Sequence, residues 1–449
     1  MTYEHIKSTL LIGLISLSIV LTWQLYTFQP EIALLDDNTS RYIPDSLNEE
    51  REERVITDVV VPEQIVVHKQ HEYTMIPGND GRFKQLYEKL VGTNINEVNL
   101  LATGPFPKHD DRGGIEIIFP APVPGDVFLE LFEIKKEEFS LPFSEVDRLF
   151  LYIDASEQVH MQILSSEEER VIEVGTTLSV KEFEETYLEK FDEFKSVTTV
   201  KEQSSYHNRL VESVYIPTEP VTVKRLSYAI TPLSPEFYKQ SLFTDPSSVK
   251  YYQQSDGEDS YTDGNRIIMM QNNGLFMDYI NPVFIEPQER SSKHIVQTSY
   301  EYVNGHGGWT DEYRLLNWES SDIRDEATYL LHVNGLPVIQ FDGQGDMALL
   351  LSRSGTQIVN YTRPLFELDS YPIDASQSIQ LPSGEDVIKE LNKQEFFNKE
   401  RLSKVAVGYE MIMRNSSFVT MEPHWFISYG NRWQKVTFEE EEGGTNGLE

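Results

Sequence analysis

The sequence predicts an α+β protein: an N-terminal membrane helix, then a body of antiparallel sheets packed with helices. Three observations carry this. Residues 8–28, "STLLIGLISLSIVLTWQLYTF", are free of charge. Short alternating strands with tight turns recur through the rest of the chain, interrupted by a few segments of helical period. Two stretches, "RIIMMQNNGLFMDYINPVF" (266–284) and "MALLLSRSGTQIVNYTRPLF" (347–366), share one order of parts.

Twenty-one residues at about 1.5 Å each make a helix of roughly 31 Å, close to the thickness of a bilayer's hydrocarbon core. A cleavable signal has a shorter apolar core and a small-residue cleavage site. Here Trp23, Tyr26, Phe28 and Pro30 follow instead. Trp23 and Tyr26 suit the membrane interface, and Lys7 before the run against Glu31, Asp36 and Asp37 after it points to a cytoplasmic N-terminus. Residues 1–30 therefore read as an uncleaved signal anchor, with membrane burial over 9–28. Gly13, Ser18 and Thr22 are the candidates for close helix contact, since small and hydroxyl side chains let helices approach in lipid.

The chain has 449 residues and a formal charge of −35. That charge excludes nucleic acid, because no basic stripe is available to replace counterions on phosphate. It also excludes a body lying on an anionic membrane. The chain has no cysteine, so disulfides, thiolate metal sites and cysteine nucleophiles are ruled out.

Residues 31–54 are polar and charged and read as a stalk. A first α+β domain is expected over 55–200. In it, "RVITDVVVPEQIVVH" (54–68) alternates as a strand, with Pro62 at an edge. "RFKQLYEKLVG" (82–92) has helical spacing of Phe83, Leu86, Tyr87 and Leu90, with Gly92 as its stop. "GIEIIFP" reads as a strand, "RLFLYID" and "QVHMQIL" as a hairpin, and 180–194 as a helix.

The two similar stretches each contain a strand, a turn ending in Gly274 or Gly355, a second strand ending in Tyr279 or Tyr361, and a proline three residues on (Pro282, Pro364). Glycine supplies the positive φ that a short hairpin needs. A helix follows each (291–303, 384–397), then two strands. Related domains are expected over 201–333 and 334–438, with an acidic tail over 439–449.

Chemistry-bearing motifs are few. His109, Asp110 and Asp111 adjoin in "HDDRGG", but neighbours in sequence rarely converge on one ion. "SDGEDSYTDGN" (255–265) lacks the closing Glu of a calcium loop. "HGGW" (306–309) has the look of an oxyanion loop, yet no nucleophile elbow accompanies it, and Ser354 falls in a hairpin turn. No cofactor, metal or catalytic residue is expected. "EPHWFISYGNRW" offers Trp425, Tyr429 and Trp433 as a protein-binding aromatic strand, against the plainer reading of a packed strand.

The opening "HIKSTLLIGLISLSIVLTWQLYTFQP", "VVVPEQIVVH", "LHVNGLPVIQF…LLLSRSGTQIVNYTRPLFEL" and "EPHWFISYG" together resemble the YycH (WalH) family across essentially the whole chain. The resemblance implies a single-pass protein with a three-domain extracytoplasmic α+β body whose second and third domains are related. It implies no catalysis. It further implies contact with a YycG/WalK-type sensor histidine kinase that controls cell-wall metabolism, through membrane helices and together with a YycI/WalI-like partner, in a Gram-positive cell. The strong acidity and the acidic tail depart from that pattern. The competing expectations are an exported cell-wall enzyme or binding protein with Asp110, Asp111 and the aromatic strand as its site, and an inhibitory module acting through 425–433.

Overall fold

Alternation of apolar and polar residues decides the first sheet. In this computed structural model, which describes residues 3–27, 53–99, 106–108, 112–134, 139, 141–200, 214–253, 258–282, 290–343, 345–395, 397–430 and 432–438, nine strands pair throughout in antiparallel fashion. They are β1 (Gln64–Lys69), β2 (Glu72–Ile76), β3 (Ile95–Asn99), β4 (Gly114–Pro124), β5 (Glu145–Ile153), β6 (Val159–Ser165), β7 (Arg170–Thr176), β8 (Lys195–Thr199) and β9 (Tyr215–Pro217), in the order β3-β7-β6-β5-β4-β1-β2-β8-β9. Ile65, Val67, Ile115, Ile117, Leu149 and Leu151 alternate onto one face and are fully buried there. The first helix of the chain is α1 (Tyr3–Thr27), and α2 is a single turn (Ile56–Val59). Helix α3 (Gly81–Val91) buries Phe83, Leu86, Tyr87 and Leu90, the four positions its periodicity marks, and Asp80 caps it by accepting from the Arg82 amide. Gly92 ends it at φ −83°, so the stop uses no left-handed residue.

Two expectations in this unit are corrected. Residues 56–59 form α2 rather than strand, and the strand begins only after Pro62, at Gln64. The helix expected over 180–194 is broken into α5 (Val180–Phe183), a π-helical turn (Glu184–Leu188) and a 3-10 turn (Phe191–Glu193). Phe183, Tyr187, Leu188, Phe191 and Phe194 are all buried against the core across these turns. The sheet also takes in β9, beyond the boundary expected at 200.

The remaining strands are β10 (Val221–Lys224), β11 (Leu226–Pro232), β12 (Lys250–Gln253), β13 (Asp259–Thr262), β14 (Ile267–Gln271), β15 (Phe276–Ile280), β16 (Tyr313–Ser320), β17 (Asp325–Val333), β18 (Leu336–Phe341), β19 (Ala348–Ser354), β20 (Gln357–Pro364), β21 (Phe366–Leu368), β22 (Ser378–Leu381), β23 (Leu402–Asn415), β24 (Phe418–Tyr429) and β25 (Trp433–Lys435). Helices α4 (Gly125–Leu131), α6 (Pro235–Leu242), α7 (Ile295–Gly305) and α8 (Gly384–Asn392) complete the set. Apart from the small ribbon β10-β22, these strands build one sheet in the order β12-β13-β14-β15-β20-β19-β17-β18-β23-β24-β11-β21, with β16 on β17 and β25 on β24. Its pairs are antiparallel except β18 with β23.

Both expected hairpins form, with Gly274 at φ +83° and Gly355 at φ +61° in their turns. They do not build separate sheets. β15 pairs with β20, and Tyr279 lies directly opposite Tyr361. β19 pairs with β17 on its other edge. A continuous sheet therefore runs across the boundary expected at 333/334.

Candidate functional site

The two sheets meet along a cleft of about 620 Å³. One wall comes from the first unit: Val61–Gln64 ahead of and into β1, the turn Met75–Asn79, Lys195 on β8 and Tyr215 on β9. The other comes from β16 (Arg314–Leu316), the β17–β18 turn (Asn334–Pro337), Val405–Val407 on β23, and Trp425 and Trp433. The ribbon strand β10 and the loop carrying Pro372 and Ala375 close a third side.

The seam between the units depends on a close backbone approach. A Cβ on Gly335 would sit 2.7 Å from the carbonyl carbon of Gly78, and Gly335 has φ +76°. Side chains reinforce the contact: Trp318 Nε1 donates to the Pro122 carbonyl at 2.6 Å, and Lys404 Nζ donates to Glu63 Oε2 at 2.9 Å.

The cleft is cationic within a strongly acidic protein. Lys195 and Lys224 are exposed in it and form no ion pair among the described residues, whereas Arg314 is tied to Glu312. Desolvation pulls the Lys195 ammonium below its ordinary value. Desolvation, aided by the nearby Arg314 charge, pushes the His332 imidazole down to about 3, and its Nδ1 donates to the Leu330 carbonyl at 3.0 Å. His332 is neutral at physiological pH, so the cleft's positive charge comes from the lysines and Arg314.

Behind the Tyr215 wall lies a buried ionic cluster on the face of the first sheet that α3 and α4 do not cover. Glu116 Oε1 accepts from Arg148 at 2.6 Å, and Oε2 accepts from Tyr215 at 2.7 Å and from His68 Nε2 at 3.0 Å. Burial alone would raise the Glu116 carboxyl; the His68 hydrogen bond, the Arg148 charge and the Tyr215 hydroxyl together hold it at about 2 instead. Sequence reasoning missed both cleft and cluster. The one available signal was Glu116 itself, a charge inside the apolar strand "GIEIIFP".

The aromatic residues divide. Trp425 is 2 % exposed and its Nε1 donates to the Pro382 carbonyl at 3.0 Å. Trp433 is half-buried and packs on Leu330, Ile339 and Phe426. Both line the cleft. Tyr429 does not: it stacks on Phe397, with the Arg401 guanidinium 4.8 Å from its ring centre. The strand is buried on both faces from Trp425 to Ser428, so it presents no alternating aromatic patch.

On α1, Ser18 and Thr22 stack one turn apart, and Thr22 Oγ1 donates to the Ser18 carbonyl at 2.7 Å. Gly13 lies about 140° round the helix from Ser18 and about 180° from Thr22, by 100° per residue. The three therefore do not share one face. The side chains of Trp23 and Tyr26 lie outside the described residues, as do His109, Asp110, Asp111, the stalk 31–52 and the tail 439–449. His306 stacks on Tyr302, and Gly308 of the same loop offers its carbonyl, an acceptor, to Arg363.

Among residues whose side chains are described, no helix is long and apolar enough to cross a membrane; those of α1 are described only in part. Leu11, Leu14, Ile15, Leu17, Ile19, Val20 and Leu21 of α1 are each more than half exposed.

The chain matches the YycH protein N-terminal domain over residues 4–219 and the YycH protein C-terminal domain over residues 211–443. It is 20% identical over 472 residues to the two-component system WalR/WalK regulatory protein YycH of Bacillus subtilis (strain 168), covering all of both chains. The crystal structure of YycH from Bacillus subtilis superposes with a TM-score of 0.70 at 16% identity, over 86% of this chain and 98% of that one.

Proposed function

Because the chain belongs to the YycH family, we propose that it is a non-enzymatic regulator of a WalK-type sensor histidine kinase governing cell-wall metabolism. The observation that carries this is the end-to-end match to a curated relative named as a WalR/WalK regulatory protein. In this reading α1 anchors the protein in the cell membrane, with the N-terminus cytoplasmic and the body outside. The apolar exposure of α1 supports it. Seven large apolar side chains more than half exposed on one helix are unfavourable in water and favourable in lipid.

A helix alters a kinase only if it binds two kinase states with different affinity. A difference of about 1–3 kcal/mol changes output roughly 5- to 150-fold. Ser18 and Thr22 supply one small-residue side and Gly13 the opposite one, so the contact with kinase helices runs through two faces of α1. Trp23 and Tyr26 set its depth. The body pairs with a YycI/WalI-like protein outside the membrane.

The test is kinase-dependent reporter output in cells carrying the full chain, residues 1–35 alone, or the body on an unrelated membrane helix. Modulation by 1–35 alone is expected, and the full chain with Gly13, Ser18 and Thr22 all changed to Leu should lose it. Unchanged output with the exchanged anchor would overturn the membrane-contact reading and leave α1 a tether.

A further inference from the structure

The chain carries a segment whose charge complements the cleft. We propose that the acidic C-terminal segment, residues 439–449, docks into the cleft between the two sheets.

Three observations converge. The first is charge. Lys195 and Lys224 stand in the cleft without an ion pair among the described residues, in a protein whose net charge is −35. Residues 439–442 are four consecutive glutamates, followed by "GGTNGLE". The second is position. The last described strand, β25, antiparallel to β24, places Trp433 in the cleft wall. The Val436 amide then donates to the carbonyl of Trp425, the other tryptophan of that wall, at 2.8 Å. The chain thus leaves the body beside the surface it is to occupy. The third is reach. Eleven residues extend at most ~36–40 Å, enough to cross a cleft of this size, and the glycines at 443, 444 and 447 impose no side-chain clash on the turn back. Leu448 brings one apolar side chain for the apolar part of the wall, where Leu316, Leu336 and Val407 lie.

A tethered segment acts at an effective concentration in the millimolar range for a short flexible connection, so weak contacts suffice to keep the cleft filled. A free acidic peptide must displace the tail before it can bind. Charge–charge attraction of this kind weakens with salt, since the Debye length falls from about 10 Å at 0.1 M to about 3 Å at 1 M.

The experiment uses the full chain in detergent, beside the same chain ended at residue 438. The protein has no cysteine, so Thr445→Cys accepts a single fluorophore of a kind that tryptophan quenches on contact. Quenching is expected in the full chain, with relief in Trp433→Phe, in the Lys195→Glu/Lys224→Glu pair and at 1 M salt. The probe in the second measurement is a synthetic peptide of residues 438–449. It should bind the shortened chain at least about tenfold more tightly than the full chain, and the lysine pair variant should lose that binding. An unquenched fluorophore, or a peptide that binds neither chain or both equally, overturns the proposal. Because these readouts involve no kinase, they stand apart from the proposed function.

Discussion

Replacing Glu116 by glutamine tests whether the buried cluster is held by its charge. The carboxylate is 2 % exposed and neutralises Arg148, itself 8 % exposed. The amide would keep the shape but take away the carboxylate charge that faces the buried Arg148 guanidinium. Removing one partner of such a pair costs about 3–5 kcal/mol. The proton linkage gives a matching figure. A carboxyl moved from 4.5 to about 2 on folding contributes about 3 kcal/mol at neutral pH, at 1.36 kcal/mol per pH unit. The folded value is depressed, so this stability is present above about pH 4.5 and is lost as pH falls towards 2. All five tryptophans lie at positions 23, 309, 318, 425 and 433, outside the first sheet. The assay is therefore hydrogen exchange read by mass spectrometry on peptides covering 64–76 and 114–124, between pH 3 and 7. Glu116→Gln should lower protection there by about 3 kcal/mol at pH 7 and flatten its decline below pH 4.5. Glu116→Gln with Arg148→Met should recover most of the loss, because a well-packed apolar substitute for a buried ion pair is often neutral. A cost under about 1 kcal/mol for Glu116→Gln, or an undiminished acid decline in it, would refute the account.

Two further outcomes follow from the same physics. Burial raises the Asp311 carboxyl to about 6, while the Leu368 amide donates to it at 3.0 Å. Its folded value lies above the unfolded one, so stability is greatest below about pH 4 and falls as pH rises through 6. Asp311→Asn should remove that step, about 1–2 kcal/mol after discounting for its partial exposure, in denaturant unfolding at pH 4 and pH 8. Gly335→Ala should cost about 2–4 kcal/mol, through positive φ plus a clash with Gly78, and should loosen the seam between the units. Gly274→Ala, at φ +83° but with nothing within 4 Å of the added carbon, should cost only about 1 kcal/mol; equal losses in thermal unfolding would show that the seam contact is unimportant.

How far the sequence can be read depends on whether the deciding interactions are local. The helix over 82–92, the two glycine-turned hairpins and the strand pair of 404–429 are each specified by side-chain period and turn chemistry within a dozen residues, and each is present. The segment 56–59 misleads because "VITDVVV" alternates in either state, and it is packing on β16, α4 and α7 that selects the helical turn. The continuity of the sheet across 333/334 is not legible for a different reason. Strand pairing between β15 and β20 joins residues about 80 positions apart, and nothing local announces it. The same holds for the site. Trp425 and Trp433 stand out by composition, but that they share a cleft with Lys195 and Tyr215 is a fact of tertiary packing.

The residues just ahead of the first sheet are held by the second. The Arg54 amide donates to Asn304 Oδ1 at 3.3 Å, and Asn304 Nδ2 donates to the Arg54 carbonyl at 3.0 Å, while Trp309 Nε1 donates to the same Oδ1 at 2.8 Å. Asn304 belongs to α7, which packs on β17 and β19 at the middle of the second sheet. β19 belongs to the second hairpin, and β17 pairs with its outer edge. Arg54 is thus bonded to the helix on the middle of the second sheet, while the following residues, Val61–Gln64, form a wall of the cleft. Arg54 and this wall are separated by fewer than a dozen residues of chain. Sub-ångström shifts at such a junction are amplified only where packed elements have two arrangements. The seam at Gly78 and Gly335 has no space for even one added carbon and borders the cleft, so the packing of the two sheets and the shape of the cleft are set at the same point.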